Sequence, residues 1–302
     1  MCPWNPALFL SISLPVLAMA SCSTVPAAQA GPGPSEGLPL TAVYGMVMDH
    51  MAKADGAIPR VLVVGIDGLR RDCLWKAGLA GLVERKMPGA RLLDAYAGGE
   101  PPDRLQPTLT APGFASILTG EWAAVHKVTG NLAPAKDPGV RSFAGAVQEL
   151  HPGTRTAVLA AWEAIVEGGT RGDGPVYRYV PGGGYYSGDY GTKDPSVVAE
   201  SERCIREGYD VIFAVLDLVD HEGHLSGFSP GNPAYLAAVS RAFAMVETLL
   251  DAIAARPTRG EEDWLVILTA DHGGKGRIHG GQSPGERDVF ILEWEAGRGQ
   301  RN

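Results

Sequence analysis

Four short apolar runs, each rich in β-branched residues, constrain the fold of this chain more than any other feature. Runs of this kind suit strands that are buried on both faces of a parallel sheet. The runs are Arg60–Ile66, Thr156–Ala161, Val211–Leu216 and Trp264–Thr269, with Val289–Leu292 as a late fifth strand. Because helical patterns separate them, the sequence predicts an α/β domain in which helices sandwich a mostly parallel central sheet.

The helical patterns lie at residues 69–85, 112–119, 141–150, 194–207 and 233–255. The stretch from Arg171 to Pro195 is rich in Gly and Tyr and is predicted to be a long loop. Its tyrosines could form an aromatic wall for a leaving group, but packing within the loop is the favoured interpretation. They are Tyr177, Tyr179, Tyr185, Tyr186 and Tyr190.

The N-terminal region has the features of an export signal. No charged residue precedes Glu36, and Ala7 to Ala20 is an apolar run interrupted by Pro15. The run is shorter than the ~20 residues that a membrane-spanning helix needs, but it suits a signal peptide. It ends in Met19-Ala20-Ser21-Cys22, which resembles a bacterial lipobox with cleavage after Ser21, whereas cleavage after Ala30 is the alternative.

These features divide the chain into a signal peptide (1–22), a tether and lead-in segment (23–58) and a catalytic α/β domain (59–302). We therefore expect an exported protein that is periplasmic or held at the membrane by a lipid anchor. The net charge of −8 argues against a nucleic-acid polymer as partner. Cys73 and Cys204 could pair or remain as isolated buried thiols, and the sequence gives no oligomeric state.

Acidic residues follow three of the predicted strands. Asp67 comes directly after the first run, and the other two runs lead into the segments Asp217–His224 and Asp271-His272. Ligands of open α/β sheets bind beyond the carboxyl ends of the strands, so these side chains are expected to converge at one edge. Carboxylate and imidazole together form a ligand set for divalent metals such as Zn²⁺.

The spacing of the second acidic segment favours a metal site. Asp220 and His224 stand four apart, so one helical turn could direct both at one ion. Asp217 and His221 have the same spacing and form a rival pair, for which a supporting role is favoured. His279, in a Gly-rich loop after Asp271-His272, could complete the set.

A nucleophile is offered by the segment Pro107 to Phe114. Pro112 suits the first position of a helix, which would place Thr110 just before a helix N-terminus that favours an anion such as phosphate. Thr108 is the alternative nucleophile, and Pro112 favours Thr110. A Thr hydroxyl needs activation, which two metals about 4 Å apart can supply.

The ordered set of motifs resembles the alkaline phosphatase superfamily, and within it the type I phosphodiesterase/nucleotide pyrophosphatase branch. The set comprises Asp67, Thr110-x-Pro112, Asp220-x-x-Gly223-His224, Asp271-His272-Gly273 and His279, and the resemblance extends from about residue 60 to 293. It implies that Asp67, Thr110, Asp271 and His272 surround one zinc ion. It further implies that Asp220, His224 and His279 surround a second one, and that Asn131 donates to a phosphate oxygen.

Departures from the family pattern bear on the substrate. Gly113 stands where nucleotide pyrophosphatases often have Asn, and the sulfatase pattern of Cys or Ser followed by x-Pro-x-Arg is absent. Trp162-Glu163-Ala164 replaces the Lys-x-Arg of threonine phosphatases, and this favours a diester over a dianionic monoester.

The resemblance thus implies a two-metal hydrolase of small phosphate esters, most of all phosphodiesters or nucleotide pyrophosphates, which acts through a phospho-threonine. A phosphomonoesterase or phosphonate hydrolase is the first alternative. A non-catalytic surface protein that binds phosphorylated ligands is the second, and the intact nucleophile and ligand set speak against it.

Overall fold

A computed structural model of the protein describes residues 37–132, 136–182 and 190–297, without the side chains of 190–192. The predicted leader, cleavage sites and lipidated cysteine fall within residues 1–36 and lie outside the described residues, so export and anchoring stay predictions. No helix of the described ranges combines the length and the apolar character needed to cross a membrane.

The main feature of the fold is an eight-stranded sheet with the order β1-β3-β10-β9-β2-β8-β6-β7. Its strands are β1 (Leu38–Pro39), β2 (Ile58–Ile66), β3 (Arg91–Tyr96), β6 (Thr156–Ala160), β7 (Tyr177–Tyr179), β8 (Val211–Leu216), β9 (Glu262–Thr269) and β10 (Asp288–Ala296). A separate hairpin pairs β4 (Gly99–Glu100) with β5 (Arg104–Leu105). Strand β2 pairs in parallel with β8 and β9, whereas β10 is antiparallel to β9 and β3. The predicted α/β class with a mostly parallel sheet is confirmed.

Helices flank this sheet in two groups that contact one another within each group. One group contains α1 (Ala42–Met51), α3 (Thr110–Thr119) and α5 (Phe143–Leu150). The other contains α2 (Leu79–Lys86), α6 (Tyr190–Glu207), α7 (Leu218–Ser226) and α8 (Pro233–Ala254). Two short helices, α4 (Ala123–His126) and α9 (Pro284–Arg287), lie in connections. Every residue of β8 is buried, as the apolar run predicts for a strand covered on both faces.

Several local predictions differ from the structure. The helix expected over 69–85 is broken into a 3-10 turn at Arg71–Cys73 and helix α2, because Gly78 adopts a left-handed conformation with φ of 101°. The loop expected from Arg171 to Pro195 contains the edge strand β7, and α6 begins at Tyr190. Part of the lead-in segment is folded, since β1 pairs with β3 and α1 packs on β2. The domain boundaries themselves stay predictions.

Two questions that the sequence leaves open concern tyrosines and thiols. Tyr177 lies on the edge strand β7 and its hydroxyl donates to Glu200 at 2.6 Å, in keeping with local packing. Nothing is described for the side chains of tyrosines 185, 186 and 190. Cys73 and Cys204 are both buried and unpaired.

A buried ionic cluster holds the amino ends of β2 and β9 together. The fully buried carboxylate of Glu262 accepts from Arg60 Nε at 3.0 Å, from Arg256 Nε at 2.9 Å and from Trp264 Nε1 at 2.8 Å. Thr258 Oγ1 donates to it at 2.7 Å. Burial alone would raise the pKa of Glu262, but the donors, Arg256 first, lower it to about 2.

We predict that Glu262→Gln lowers the free energy of unfolding by about 3 kcal/mol at pH 7, because two arginines lose a buried charged partner. The folded-state pKa lies below the unfolded value of ~4.3, so this stabilisation is present above pH ~4.3 and disappears as the pH falls toward 2. Urea unfolding at pH 7 and at lower pH measures it. The exposed Glu261→Gln is the control, and equal stability of the two variants at pH 7 would contradict the prediction.

Candidate metal centre

The carboxyl ends of the three central strands carry the predicted acidic residues. Asp67 directly follows β2, Asp217 directly follows β8, and Asp271 follows β9 after one intervening residue. Strand β2 is hydrogen-bonded in parallel to both β8 and β9, so the carboxyl ends of the three strands lie side by side. The turn after Asp67 joins them, because Gly68 N–H donates to Asp271 Oδ1 at 3.2 Å.

Gly68 also allows this turn to approach Asp220 closely. Its φ is 69°, and a Cβ at this position would lie 2.6 Å from Asp220 Oδ1. Only glycine combines the left-handed conformation with that contact distance. The turn therefore brings the β2 end and helix α7 together.

Helix α7 presents the predicted pair of ligands on one face. Asp220 Oδ2 lies 3.2 Å from His224 Nε2, one turn along the helix. The i, i+4 spacing in the sequence predicts this geometry. Asp220 is buried, whereas the His224 side chain is 42% exposed, so the pair lies at the mouth of the site.

The loop after β9 supplies two further imidazoles. The rings of His272 and His279 stack with centroids 3.9 Å apart and an interplanar angle of 18°. His279 Nε2 lies 3.1 Å from His224 Nε2 and 3.6 Å from Asp220 Oδ1. His272 Nε2 lies 3.2 Å from Asp271 Oδ2 and 3.4 Å from Asp67 Oδ1. All the predicted metal-ligating side chains other than Thr110 are thereby joined in one continuous group.

Backbone carbonyls determine which nitrogen each histidine presents. Nδ1 of His224 is 2.9 Å from the Arg277 carbonyl, Nδ1 of His272 is 2.8 Å from that of Gly273, and Nδ1 of His279 is 2.9 Å from that of Thr108. A carbonyl can only accept, so Nδ1 carries the proton in each ring and Nε2 keeps its lone pair. This arrangement is typical of histidines that bind a metal through Nε2.

Thr110 is the first residue of helix α3, two residues earlier than predicted, and Pro112 lies within the first turn. Proline is tolerated there because the first N–H groups of a helix need no intrahelical acceptor. Thr110 Oγ1 lies 3.3 Å from His272 Nε2, which places the hydroxyl at the cluster.

Thr108 has a different environment from Thr110. Its Oγ1 donates to the Gly281 carbonyl at 2.8 Å and accepts from Gly280 N–H at 3.0 Å. Its own carbonyl accepts from His279. Both functions of the Thr108 hydroxyl are therefore used in fixing the loop that carries His279, which favours Thr110 as the reactive residue.

Asn131 lies beside the N-terminus of α3. Its Oδ1 accepts from Ala111 N–H at 3.0 Å. This bond fixes the amide so that Nδ2, with two N–H donors, is the group left for a ligand. The Ala111 N–H is therefore already used within the protein.

The ligand atoms form two overlapping groups, Asp67 with Asp271 and His272, and Asp220 with His272 and His279. Within each group the atoms lie within 4.8 Å of one another. Asp67 Oδ1, Asp220 Oδ1 and Asp271 Oδ2 are buried without a hydrogen-bond partner. Buried carboxylate oxygens of this kind need a cation or a proton, so the residues present fit divalent metal ions. His272 belongs to both groups, whereas the family resemblance assigns it to the first alone.

The pKa shifts within the cluster also favour the binding of divalent metal ions. Burial, and then the neighbouring Asp271 and Asp220 charges, raise the pKa of Asp67 well above its usual value, and burial does the same for Asp271. Burial lowers the pKa of His272 to about 3. Against the effect of burial, a His224 that also carries a proton on Nε2 donates to Asp220 and holds the pKa of that carboxyl below its usual value. Without cations, the carboxylates cannot all be charged at low cost.

The rival pair Asp217 and His221 belongs to neither group of candidate ligands within the described residues. Both carboxylate oxygens of Asp217 are buried without a hydrogen-bond partner, and burial followed by the Asp194 charge raises its pKa.

Asp194, which sequence reasoning missed, accepts from the N–H groups of Asp217 and Leu218 at 2.9 and 3.0 Å. It thereby holds the start of α7, and burial raises its pKa to about 6. No local pattern identifies it, because the two N–H groups from which it accepts lie 23 and 24 residues further along the chain.

Solved structures with the same fold include phosphonoacetate hydrolase from Sinorhizobium meliloti 1021 in complex with phosphonoformate. The TM-score is 0.50 at 20% identity, over 72% of this chain and 57% of that one. A putative sulfatase from Bacteroides thetaiotaomicron VPI-5482 gives 0.58 at 12% identity, over 81% of this chain and 66% of that one. The chain thus spans less than two thirds of either protein. These neighbours belong to the alkaline phosphatase superfamily.

Sequence comparison gives the family directly. No curated protein matches the chain. The family model of the type I phosphodiesterases/nucleotide pyrophosphatases matches residues 61–276, a range that includes Asp67, Thr110, Asp220 and Asp271. Because the match extends over more than half of its residues, the chain belongs to the type I phosphodiesterase/nucleotide pyrophosphatase family.

Proposed function

We propose that this protein is a metal-dependent hydrolase of phosphate esters, with phosphodiesters or nucleotide pyrophosphates as preferred substrates. The observation that carries the proposal is the position of the Thr110 hydroxyl, 3.3 Å from His272 Nε2, within a cluster of buried and unpartnered carboxylate oxygens. A hydroxyl in that setting is a nucleophile that needs a cation to lose its proton.

We expect two divalent cations, both of them zinc, to complete this centre. Asp67, Thr110, Asp271 and His272 would hold one, and Asp220, His224 and His279 the other. When bound, such ions neutralise the developing negative charge and lower the pKa of coordinated hydroxyl groups. Mixed carboxylate and imidazole ligation is typical of zinc.

The chain's own groups carry the rest of the reaction. Thr110 Oγ attacks phosphorus and loses its proton, and the first alcohol leaves with its bonding electrons and takes up a proton. Asn131 Nδ2 donates to a non-bridging phosphate oxygen and stabilises the charge that grows there. Water then hydrolyses the phospho-threonine, which restores the Thr110 hydroxyl and releases a phosphomonoester from a diester substrate.

The choice of a diester is supported at the carboxyl end of β6. Trp162-Glu163-Ala164 follows this strand where monoesterase relatives have Lys-x-Arg, and Glu163 is exposed. Strand β6 pairs with β8, so this end lies at the same edge of the sheet as the cluster. A dianionic monoester gains most from extra cations, and Glu163 supplies the opposite charge.

Removal of metal with a chelator is expected to lower turnover of bis-p-nitrophenyl phosphate by roughly 100-fold or more, because the hydroxyl of Thr110 then keeps its proton. Addition of zinc to the stripped protein should restore it, with saturation at two equivalents per chain. Inductively coupled plasma spectrometry measures the bound metal. Undiminished turnover by metal-free protein would refute the metal requirement.

Thr110→Ala is expected to lower kcat by about 1,000-fold or more, since it removes the attacking atom. Thr108→Val is the comparison in the same segment: it weakens the loop that carries His279, so kcat is expected to fall, but it keeps the Thr110 hydroxyl. Mass spectrometry of acid-quenched enzyme should find a covalent phosphoryl adduct with Thr108→Val and none with Thr110→Ala. An adduct that persists in Thr110→Ala would exclude Thr110 as the nucleophile.

The substrate class is decided by a comparison on zinc-loaded protein. We expect a higher kcat/KM for bis-p-nitrophenyl phosphate than for p-nitrophenyl phosphate, because Trp162-Glu163-Ala164 carries no cation for the second negative charge. A strong preference for the monoester would indicate a phosphatase, and cleavage of phosphonoacetate would indicate a phosphonate hydrolase. Tight phosphate binding without turnover would indicate a non-catalytic binding protein.

A further inference from the structure

The ring of Phe228 fills a narrow slot behind the cluster. Phe228 follows helix α7, is 2% exposed, and donates its N–H to the Gly276 carbonyl at 2.7 Å. A Cβ on Gly223 or on Gly274 would overlap the Phe228 ring. The ring is therefore in close contact with a glycine of α7 and with a glycine of the loop that leads to His279.

The edge of this slot is formed by two of the candidate metal ligands. The Phe228 ring lies 5.4 Å from the His224 ring at 84° and 6.0 Å from the His279 ring at 76°. Both are edge-to-face arrangements within the favourable range for aromatic pairs. The orientation of each imidazole is thus fixed both by its Nδ1 hydrogen bond and by the Phe228 ring. That orientation sets the direction in which Nε2 points.

Phe228 is in turn supported from behind by Tyr235 of helix α8. The two rings lie 5.6 Å apart at 62°. The buried Tyr235 hydroxyl donates to the Gly68 carbonyl and accepts from Arg70 N–H at 3.1 Å. The support of Phe228 is therefore tied to the turn that follows Asp67.

We infer that Phe228 is a positioning residue for the cation held by Asp220, His224 and His279, an inference that rests on the proposed function. Phe228 contacts no reacting group and acts through the two imidazoles. Glycine at both positions leaves space for the ring, since a Cβ at either one would overlap it. Leucine has no ring with which to make the two edge-to-face contacts to His224 and His279.

The test compares Phe228→Leu with Phe143→Leu in zinc binding. Phe143 is fully buried on α5, packs edge-on to Phe213 at 5.9 Å, and forms no part of the described metal cluster. Competition with a chromophoric chelator on stripped protein measures the two zinc affinities. In Phe228→Leu the second zinc should bind roughly 10- to 100-fold more weakly, with the first unchanged. Phe143→Leu should lose thermal stability and bind both ions like the wild type.

Gly274→Ala provides a second variant should Phe228→Leu fail to fold. Gly274 has no positive φ, so alanine is allowed by the backbone, and the atoms nearest to the added Cβ are those of the Phe228 ring. It should weaken the second zinc in the same way, and kcat should return to the wild-type value at saturating zinc.

Wild-type affinity for both ions in Phe228→Leu, or in Gly274→Ala where the leucine variant does not fold, would overturn the inference and leave the proposed function intact. Failure of the wild-type chain to bind zinc would instead refute the proposed function, and the inference with it.

Discussion

The structure depends on the cost of burying several carboxylates at the ends of adjacent parallel strands. Asp67, Asp217 and Asp271 follow three neighbouring strands, and Asp220 approaches them from α7. Their unpartnered oxygens would repel one another in the absence of positive charge. Bound cations would remove this cost, because the carboxylate oxygens and imidazole nitrogens of each candidate group lie within 4.8 Å of one another. Ions held in this way would also stabilise the folded state.

The geometry of the cluster is maintained largely by backbone groups. Three carbonyls orient the three histidines, and the loop of His279 is bonded to Thr108 close to the start of α3. The candidate nucleophile and the candidate ligand His279 are therefore linked through one short segment, and a displacement of that segment would alter both. Such coupling explains why two elements far apart in sequence keep a fixed spacing at the site.

Much of this arrangement could be predicted from the sequence, for identifiable reasons. Buried parallel strands have a distinctive apolar pattern, and the residues that follow such strands converge at one edge of the sheet. The sequence alone therefore predicts that Asp67 and Asp271 lie close together. The i, i+4 spacing likewise anticipates the contact of Asp220 with His224. The remaining features depend on contacts that no local pattern encodes. Asp194 holds the start of α7 across a gap of 23 residues, and Phe228 is recognisable only once Gly223 and Gly274 lie against its ring.

The strand order has a consequence for how the chain is made. Strands β1 and β3 are hydrogen-bonded to the rest of the sheet only through β10, and β9 lies between β10 and the central strand β2. Strands β1 and β3 can therefore join the sheet only after the much later strands β9 and β10 have been synthesised. Asp271, His272 and His279 lie between those same two strands. The stretch of chain that brings β1 and β3 into the sheet therefore also completes the candidate cluster.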